Sequence, residues 1–212
     1  MLNRYARAAV TRILTPVAKL LNRWGVSPDV VTILGTIGVC VGALVFFPRG
    51  QLLVGVLVIT AFVFSDTIDG VMARLLGRTS KWGAFLDSTL DRIGDAAIFS
   101  GLAIWFFQGG DDRVMAWLAL ACLVLGSVVS SARARAEGLG MTASVGIAER
   151  ADRLVAALVT TGLVGLGLPE VVLKVVLAVL AVASVITILQ RVLFVRQQVL
   201  AEEAADSTPA TS

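Results

Sequence analysis

The chain has 212 residues, of which 57% are hydrophobic and 16% charged, with a mean hydropathy of +0.88; in soluble domains about 45–50% of residues are apolar even with glycine counted. That balance excludes a soluble globular fold and predicts an all-α integral membrane protein. The net charge of +3 is spread over the connections between apolar runs, where it reads as membrane topology and attraction to anionic lipid, and it gives no footing for nucleic acid binding.

Residues 1–24 interleave arginine with apolar positions throughout, unlike a secretory leader, whose apolar residues gather ahead of a small-residue cleavage site. At about 100° per residue, Leu2, Ala6, Ala9, Ile13, Val17, Leu20 and Trp24 fall on one side of a helix, and Arg4, Arg7, Arg12, Lys19 and Arg23 on the other. This predicts an amphipathic helix lying in the membrane interface; the alternative is a basic leader that only fixes topology. Pro16 is expected to kink this helix or divide it.

Six apolar stretches follow, at 29–47, 51–75, 82–107, 113–136, 150–168 and 171–195, each near the roughly 20 residues that cross a bilayer core. Short separators divide them, among them PRG at 48–50, QGGDD at 108–112 and GLPE at 167–170. The predicted organisation is an interfacial helix (1–24), a six-helix transmembrane domain (25–200) and a polar tail (201–212) expected to be disordered for want of large apolar residues. With the N-terminus in the cytoplasm, only Arg49, Arg113 and Lys174 face outward, leaving 15 of the 18 Lys and Arg inside, the positive-inside pattern. Both termini are therefore expected in the cytoplasm of a multi-pass cell-membrane protein. Cys40 and Cys122 sit within spans and are expected to pack there, being too few and too deep for a disulfide framework.

The chain contains no histidine and its cysteines are not spaced for a metal, so acid–base or metal chemistry falls to carboxylates. Four of them interrupt the apolar pattern. Asp66 and Asp69 close the second stretch at i and i+3, and Asp87 and Asp91 open the third at i and i+4, so each pair shares one helix face. The short turn at 76–81 is expected to make these spans antiparallel neighbours, which lets the four carboxylates converge in the inner third of the membrane. Each costs up to about 2.5–3.5 kcal/mol near the bilayer centre, and together they repel. Arg74 and Arg78 can neutralise two of them. A cage of oxygen ligands suits Mg²⁺ or Mn²⁺, and four shared aspartates suit two such ions, the arrangement that clamps both oxygens of a phosphoryl displacement. Gly70 and Gly83 lie within a turn of the acids and admit a bulky ligand to the backbone. A capping or salt-bridge role accounts for a single aspartate such as Asp29 or Asp111, and not for four at this spacing.

The run Asp66-Thr-Ile-Asp69-Gly70-Val-Met-Ala73-Arg74, followed by eight residues, Gly83, three residues, Asp87, three residues and Asp91, matches without a gap the signature of the CDP-alcohol phosphotransferase family. The six-span layout behind an amphipathic helix resembles that family over nearly the whole chain. The resemblance implies that an alcohol hydroxyl displaces CMP from a CDP-linked lipid with two metal ions on the diphosphate. It implies Asp66, Asp69, Asp87 and Asp91 as metal ligands, with Asp91 also the catalytic base, and Gly70, Arg74 and Ser80 holding the nucleotide and its phosphates. The segment Ser27–Thr32 resembles the one that covers the cytidine diphosphate, which implies Asp29, Val30, Val31 and Thr32 as contacts; the same Ser-Pro-Asp would also serve simply to start a helix.

Basic clusters return to the cytoplasmic level in the second half, at 130–138, 149–153 and Arg191. Singly they read equally well as topology anchors. Together Ser130, Arg133, Arg153 and Arg191 form a candidate site for an acceptor phosphate, which arginine binds in a planar fork. The segments 1–32, 134–138 and 146–154 resemble the actinobacterial members of the family, which join CDP-diacylglycerol to inositol 1-phosphate (1D-myo-inositol 3-phosphate) and act as homodimers. A transferase using glycerol 3-phosphate needs much the same anion site. A metal or proton transporter also carries aspartates and arginines within spans, but places them near the midplane on broken helices with internal repeats, and no clear repeat is present here.

Overall fold

The computed structural model describes the backbone of residues 15–75 and 80–206, and the side chains of these apart from residues 64–67, 69, 74, 205 and 206. All regular structure among the described residues is helical, and the chain divides into two units, Met1–Asp111 and Asp112–Ser212.

The first unit opens with α1, residues 15–23. Ala18 is buried against Val71 and Met72, with Leu21, Val31 and Ile68 packed around them, while Val17, Leu20 and Trp24 remain exposed beside Lys19 and Arg23. Residues 1–14, most of the expected interfacial helix, lie outside the described residues. Next, α2 (Pro28–Val41) starts at Ser27, whose extended backbone and side chain cap the helix by accepting from the Val30 N–H; Pro28 fills the first turn, where its missing N–H loses nothing.

Glycine runs through the middle of α2, and this lets α3 (Leu52–Leu75) and α4 (Lys81–Gln108) both press onto it. A Cβ on Gly38 would stand 2.2 Å from the ring of Phe62 in α3, and one on Gly101 of α4 would stand 2.4 Å from the Ala43 carbonyl oxygen. Small residues at such contacts allow the close backbone approach on which helix association in lipid depends. The sequence predicts α3 and α4 as direct neighbours; among the described residues each packs chiefly on α2 instead. From Gly42 the helix widens into a π turn at Gly42–Phe46, which carries Ala43, and tightens into a 3-10 turn at Phe47–Arg49. The chain then reverses at Gly50, whose φ of 72° and 2.5 Å approach to Trp105 leave no room for a side chain.

In the second unit α5 (Arg113–Gly138) is capped by Asp112, which accepts from the Met115 N–H at 3.1 Å and forms an ion pair with Lys174. Both α5 and α6 (Arg150–Gly165) pack on α7 (Glu170–Asp206). The buried Cys122 thiol donates to the Leu177 carbonyl at 3.3 Å, which is the packing role expected of it. With 37 residues, α7 is about 55 Å long, well beyond the roughly 30 Å bilayer core. It runs six residues into the tail expected to be disordered, because Ala-Glu-Glu-Ala-Ala is a strong helix-forming run; residues 207–212 lie outside the described residues.

Three described helices, Pro28–Arg49, Arg113–Gly138 and Glu170–Ala204, are long and apolar enough to cross a membrane, and Leu52–Val63 is a shorter apolar helix. Six spans are expected from the sequence. The apolar run of α4 is interrupted by Asp87, Asp91 and Asp95, and α6 has only 16 residues.

Candidate active site

The four acids of the motif lie on the helical backbone of α3 and α4. Along α3, positions 66 and 69 are about 21 and 26 Å from the Leu52 end, and along α4, Asp91 and Asp87 are about 26 and 31 Å from the Gln108 end, at 1.5 Å per residue. Both pairs therefore sit toward the helix ends that the 76–80 connection joins. Asp87 is exposed and Asp91 half-buried. The side chains of Asp66, Asp69 and Arg74, and residues 76–79 with Arg78, lie outside the described residues. Asp95, also half-buried, repeats the four-residue step on the same face of α4, a repeat visible in the sequence though outside the family motif. Among the described residues no three His, Cys, Asp or Glu side chains assemble a metal site, and the expected set requires the two α3 carboxylates. Its donors are all carboxylate oxygens, which fits a hard divalent cation.

Ser80 stands at the start of α4 with an extended backbone, and its hydroxyl oxygen accepts from the Gly83 N–H at 2.9 Å. The hydroxyl expected to hold phosphate is thus the N-cap of the helix and keeps its own proton to donate, at the positive end of the helix dipole. Gly83 stands close behind, since a Cβ there would lie 3.3 Å from the Ser80 oxygen. Asp29, in the first turn of α2, accepts from the Trp82 indole N–H at 3.1 Å, so the starts of α2 and α4 are tied together. Val30 is exposed and Gly70 half-buried, while Val31 packs toward the Ala18 cluster. Thr32 is buried and its hydroxyl donates to the Pro28 carbonyl at 3.1 Å. Of the four residues expected over the cytidine diphosphate, Asp29 and Val30 are accessible, and Val31 and Thr32 turn inward. Nothing local in the sequence distinguishes Trp82 from an ordinary interfacial aromatic.

In the second unit Arg153 and Arg191 are almost wholly buried, at 1% and 3% exposure. Arg191 donates from Nε to the Val145 carbonyl at 2.9 Å and from Nη1 to the Val129 carbonyl at 2.5 Å. Arg153 donates from Nη1 to the Ala148 carbonyl at 2.9 Å and from Nη2 to the Gly126 carbonyl at 3.4 Å. Both guanidiniums thus bridge one stretch of α5 to the α5–α6 connection, and the buried Ser130 belongs to that stretch. Arg133 lies a turn beyond it, exposed, and pairs with Glu137 of its own helix at 2.8 Å. Arg153 and Arg191 thus meet the same two segments, with Ser130 buried next to Val129 in one of them, and Arg133 is left at the surface. Thr187 and Gln198 of α7 also bind this connection. Their signal in the sequence is a polar stripe, Ser184, Thr187, Arg191 and Gln198, spaced three, four and seven residues apart in an apolar run.

Residues 25–150 match the profile of the CDP-alcohol phosphatidyltransferase family. The phosphatidylinositol phosphate synthase of Streptomyces avermitilis is 54% identical over 211 residues, covering 97% of this chain and 86% of that protein. The enzyme of the same name from Cutibacterium acnes is 49% identical over 200 residues, covering 90% and 96%. Among solved structures, Mycobacterium tuberculosis phosphatidylinositol phosphate synthase with CDP-DAG bound matches with a TM-score of 0.84 at 44% identity, covering 87% of this chain and 94% of that one. The same enzyme in complex with manganese and citrate matches with a TM-score of 0.82 at 43% identity, covering 86% and 88%. An acid motif carried on two successive helices and relatives this similar over nearly the full length have one meaning: the chain belongs to the CDP-alcohol phosphatidyltransferase family.

Proposed function

We propose that this chain transfers the phosphatidyl group of CDP-diacylglycerol to a hydroxyl of inositol phosphate (1D-myo-inositol 3-phosphate), releasing CMP, as a step of phospholipid biosynthesis. The acceptor half rests on one observation above all. Arg191 is a cation at 3% exposure whose hydrogen bonds among the described residues go to two backbone carbonyls and to no carboxylate. A buried charge left in that condition is costly, and a phosphate dianion offsets the cost. The relatives are named phosphatidylinositol phosphate synthases, which supports inositol phosphate as that acceptor.

Asp66, Asp69, Asp87 and Asp91 would hold two divalent ions, Mg²⁺ with Mn²⁺ as a substitute. When bound, the metal neutralises the diphosphate and the charge that develops on departing CMP. Asp91, the more sheltered of the two α4 carboxylates, takes the acceptor's hydroxyl proton as its oxygen bonds to the lipid-side phosphorus and the bond from that phosphorus to the CMP oxygen breaks. Ser80 at the start of α4 receives the phosphates, together with Gly70 and Arg74 near the end of α3. Asp29, positioned by Trp82, holds the nucleotide with Val30, while Val31 and Thr32 turn inward and support this segment from behind. Ser130, Arg153 and Arg191 hold the acceptor phosphate, with Arg133 a turn away at the surface.

The same reading gives six spans within residues 25–200, an interfacial helix over 1–24, and cytoplasmic termini and active site in the cell membrane, with a homodimer as the working unit. The N-terminal part is supported by α1, whose exposed Val17, Leu20 and Trp24 offer an apolar face beside Lys19 and Arg23. The deciding experiment supplies purified protein with CDP-diacylglycerol and Mg²⁺ and compares radiolabelled inositol 1-phosphate, glycerol 3-phosphate and free inositol. Metal-dependent CMP release with inositol 1-phosphate alone is expected. Preference for glycerol 3-phosphate would reassign the acceptor, and absence of CMP release with all three would return the aspartates to a transport role.

A further inference from the structure

The α5–α6 connection, residues 139–149, is held along its backbone by three side chains of α7. Gln198 Oε1 accepts from the Thr142 backbone N–H at 3.0 Å and from its hydroxyl at 3.2 Å, and Gln198 Nε2 donates to the Thr142 carbonyl at 2.7 Å. Arg191 takes the Val145 carbonyl. The Thr187 hydroxyl oxygen accepts from the backbone N–H groups of Ile147 and Ala148 at 3.2 and 3.1 Å, and its own proton goes to the Ala183 carbonyl at 2.8 Å. Non-helical backbone near lipid must find partners, which by itself is a structural role. The same short segment, however, supplies the carbonyls of Val145 and Ala148 that grip the two buried guanidiniums. Between them Gly146, at φ 138°, lies so close that a Cβ there would be 2.3 Å from Thr187 Cγ2. The position of Thr187 therefore sets the position of both carbonyls, and through them the aim of Arg191 and Arg153.

We infer that Thr187 and Gln198 are positioning residues for the acceptor phosphate: by pinning residues 142–148 to α7 they fix the guanidiniums of Arg191 and Arg153, and so govern affinity for the phosphorylated acceptor and not for the nucleotide-linked lipid. The inference rests on the proposed role of those arginines. Neither residue touches the acceptor, so the signature is in KM. In full-length purified protein with CDP-diacylglycerol and Mg²⁺, Thr187→Val keeps the side-chain shape and removes the accepting oxygen. The KM for inositol 1-phosphate should rise about three- to tenfold, the order expected for lost neutral hydrogen bonds, with the KM for CDP-diacylglycerol and kcat within about twofold. Thr187→Ser retains the oxygen and should restore the wild-type KM. Gln198→Leu, a half-buried position nearer the C-terminal end of α7, should raise the same KM and so covers the case in which Thr187→Val fails to fold. A fall in kcat with both KM values unchanged would make the clasp purely structural and overturn the inference. If Arg153→Ala and Arg191→Ala raise the acceptor KM while the Thr187 and Gln198 variants do not, this inference alone fails. If the arginine variants leave that KM unchanged as well, the acceptor site fails and the inference goes with it.

Discussion

As the proposed base, Asp91 would have a task that the other three carboxylates of the motif lack, since a ligand needs only its oxygen lone pairs whereas a base must also accept a proton. Asp91→Asn keeps the shape and one ligand oxygen but cannot take the acceptor's proton. It should bind CDP-diacylglycerol nearly as the wild type does and lose turnover by roughly 10²–10⁴, the usual contribution of general base catalysis. Asp66→Asn and Asp69→Asn should instead weaken metal binding and recover in part with excess Mn²⁺. Turnover and CDP-diacylglycerol binding measured against metal concentration separate the two classes, and full metal rescue of Asp91→Asn would reduce that residue to a ligand. The motif residues were legible because their spacing is local to two helices. The bond from Trp82 to Asp29 was not, since it joins side chains 53 positions apart and no local pattern announces such a partner.

Helix boundaries were well marked in the sequence, and the structure gives the reasons. Pro48-Arg49-Gly50 ends in a left-handed glycine, and Asp112 of the QGGDD separator is the cap of α5. The order of packing was hidden: the use of α2 as the common partner of α3 and α4 depends on how Gly38 and Gly101 meet Phe62 and Ala43, which hydropathy does not encode. The clasp on 139–149 was hidden for a related reason, since its bonds link side chains to backbone atoms some 40 to 60 residues away. At the α5 cap, the hydrogen bond from Lys174, with that from the Met115 N–H, holds the Asp112 carboxyl below its ordinary range. A carboxyl depressed on folding adds stability that is complete above its unfolded pKa and lost as pH falls through the folded one. The thermal midpoint of wild-type protein in detergent should therefore exceed that of Lys174→Met by a constant margin above about pH 5, and the margin should shrink below about pH 4. A margin that persists unchanged into acid would show that Lys174 contributes by packing its stem and not by charge.

At the scale of the whole chain, the proposed chemistry and the proposed orientation constrain each other. A phosphorylated sugar alcohol is too polar to cross the bilayer, so the acceptor arginines must open to the compartment that contains it. The basic residues argue for the cytoplasm, because only Arg49, Arg113 and Lys174 fall on the opposite side. Two of those three are satisfied locally, Lys174 by Asp112 and Arg49 by the Val45 carbonyl. Measured along α7, Arg191 is about 31 Å from Glu170, close to the full thickness of the hydrocarbon core, and the helix continues past it. If Glu170 marks the outer surface, Arg191 stands at the inner boundary and the last turns of α7 are in the cytoplasm. Single cysteines placed in a Cys40→Ala, Cys122→Ala background test this directly. Gln51→Cys lies in the exposed connection before α3, and Glu203→Cys in the exposed last turns of α7. In intact cells a membrane-impermeant maleimide should label Gln51→Cys and leave Glu203→Cys unlabelled until the membrane is permeabilised. Labelling of Glu203→Cys alone would invert the protein and place its arginines away from any cytoplasmic acceptor. Labelling of both from outside would mean an odd number of crossings between the second helix and the C-terminus has become even, and the six-span arrangement would have to be abandoned.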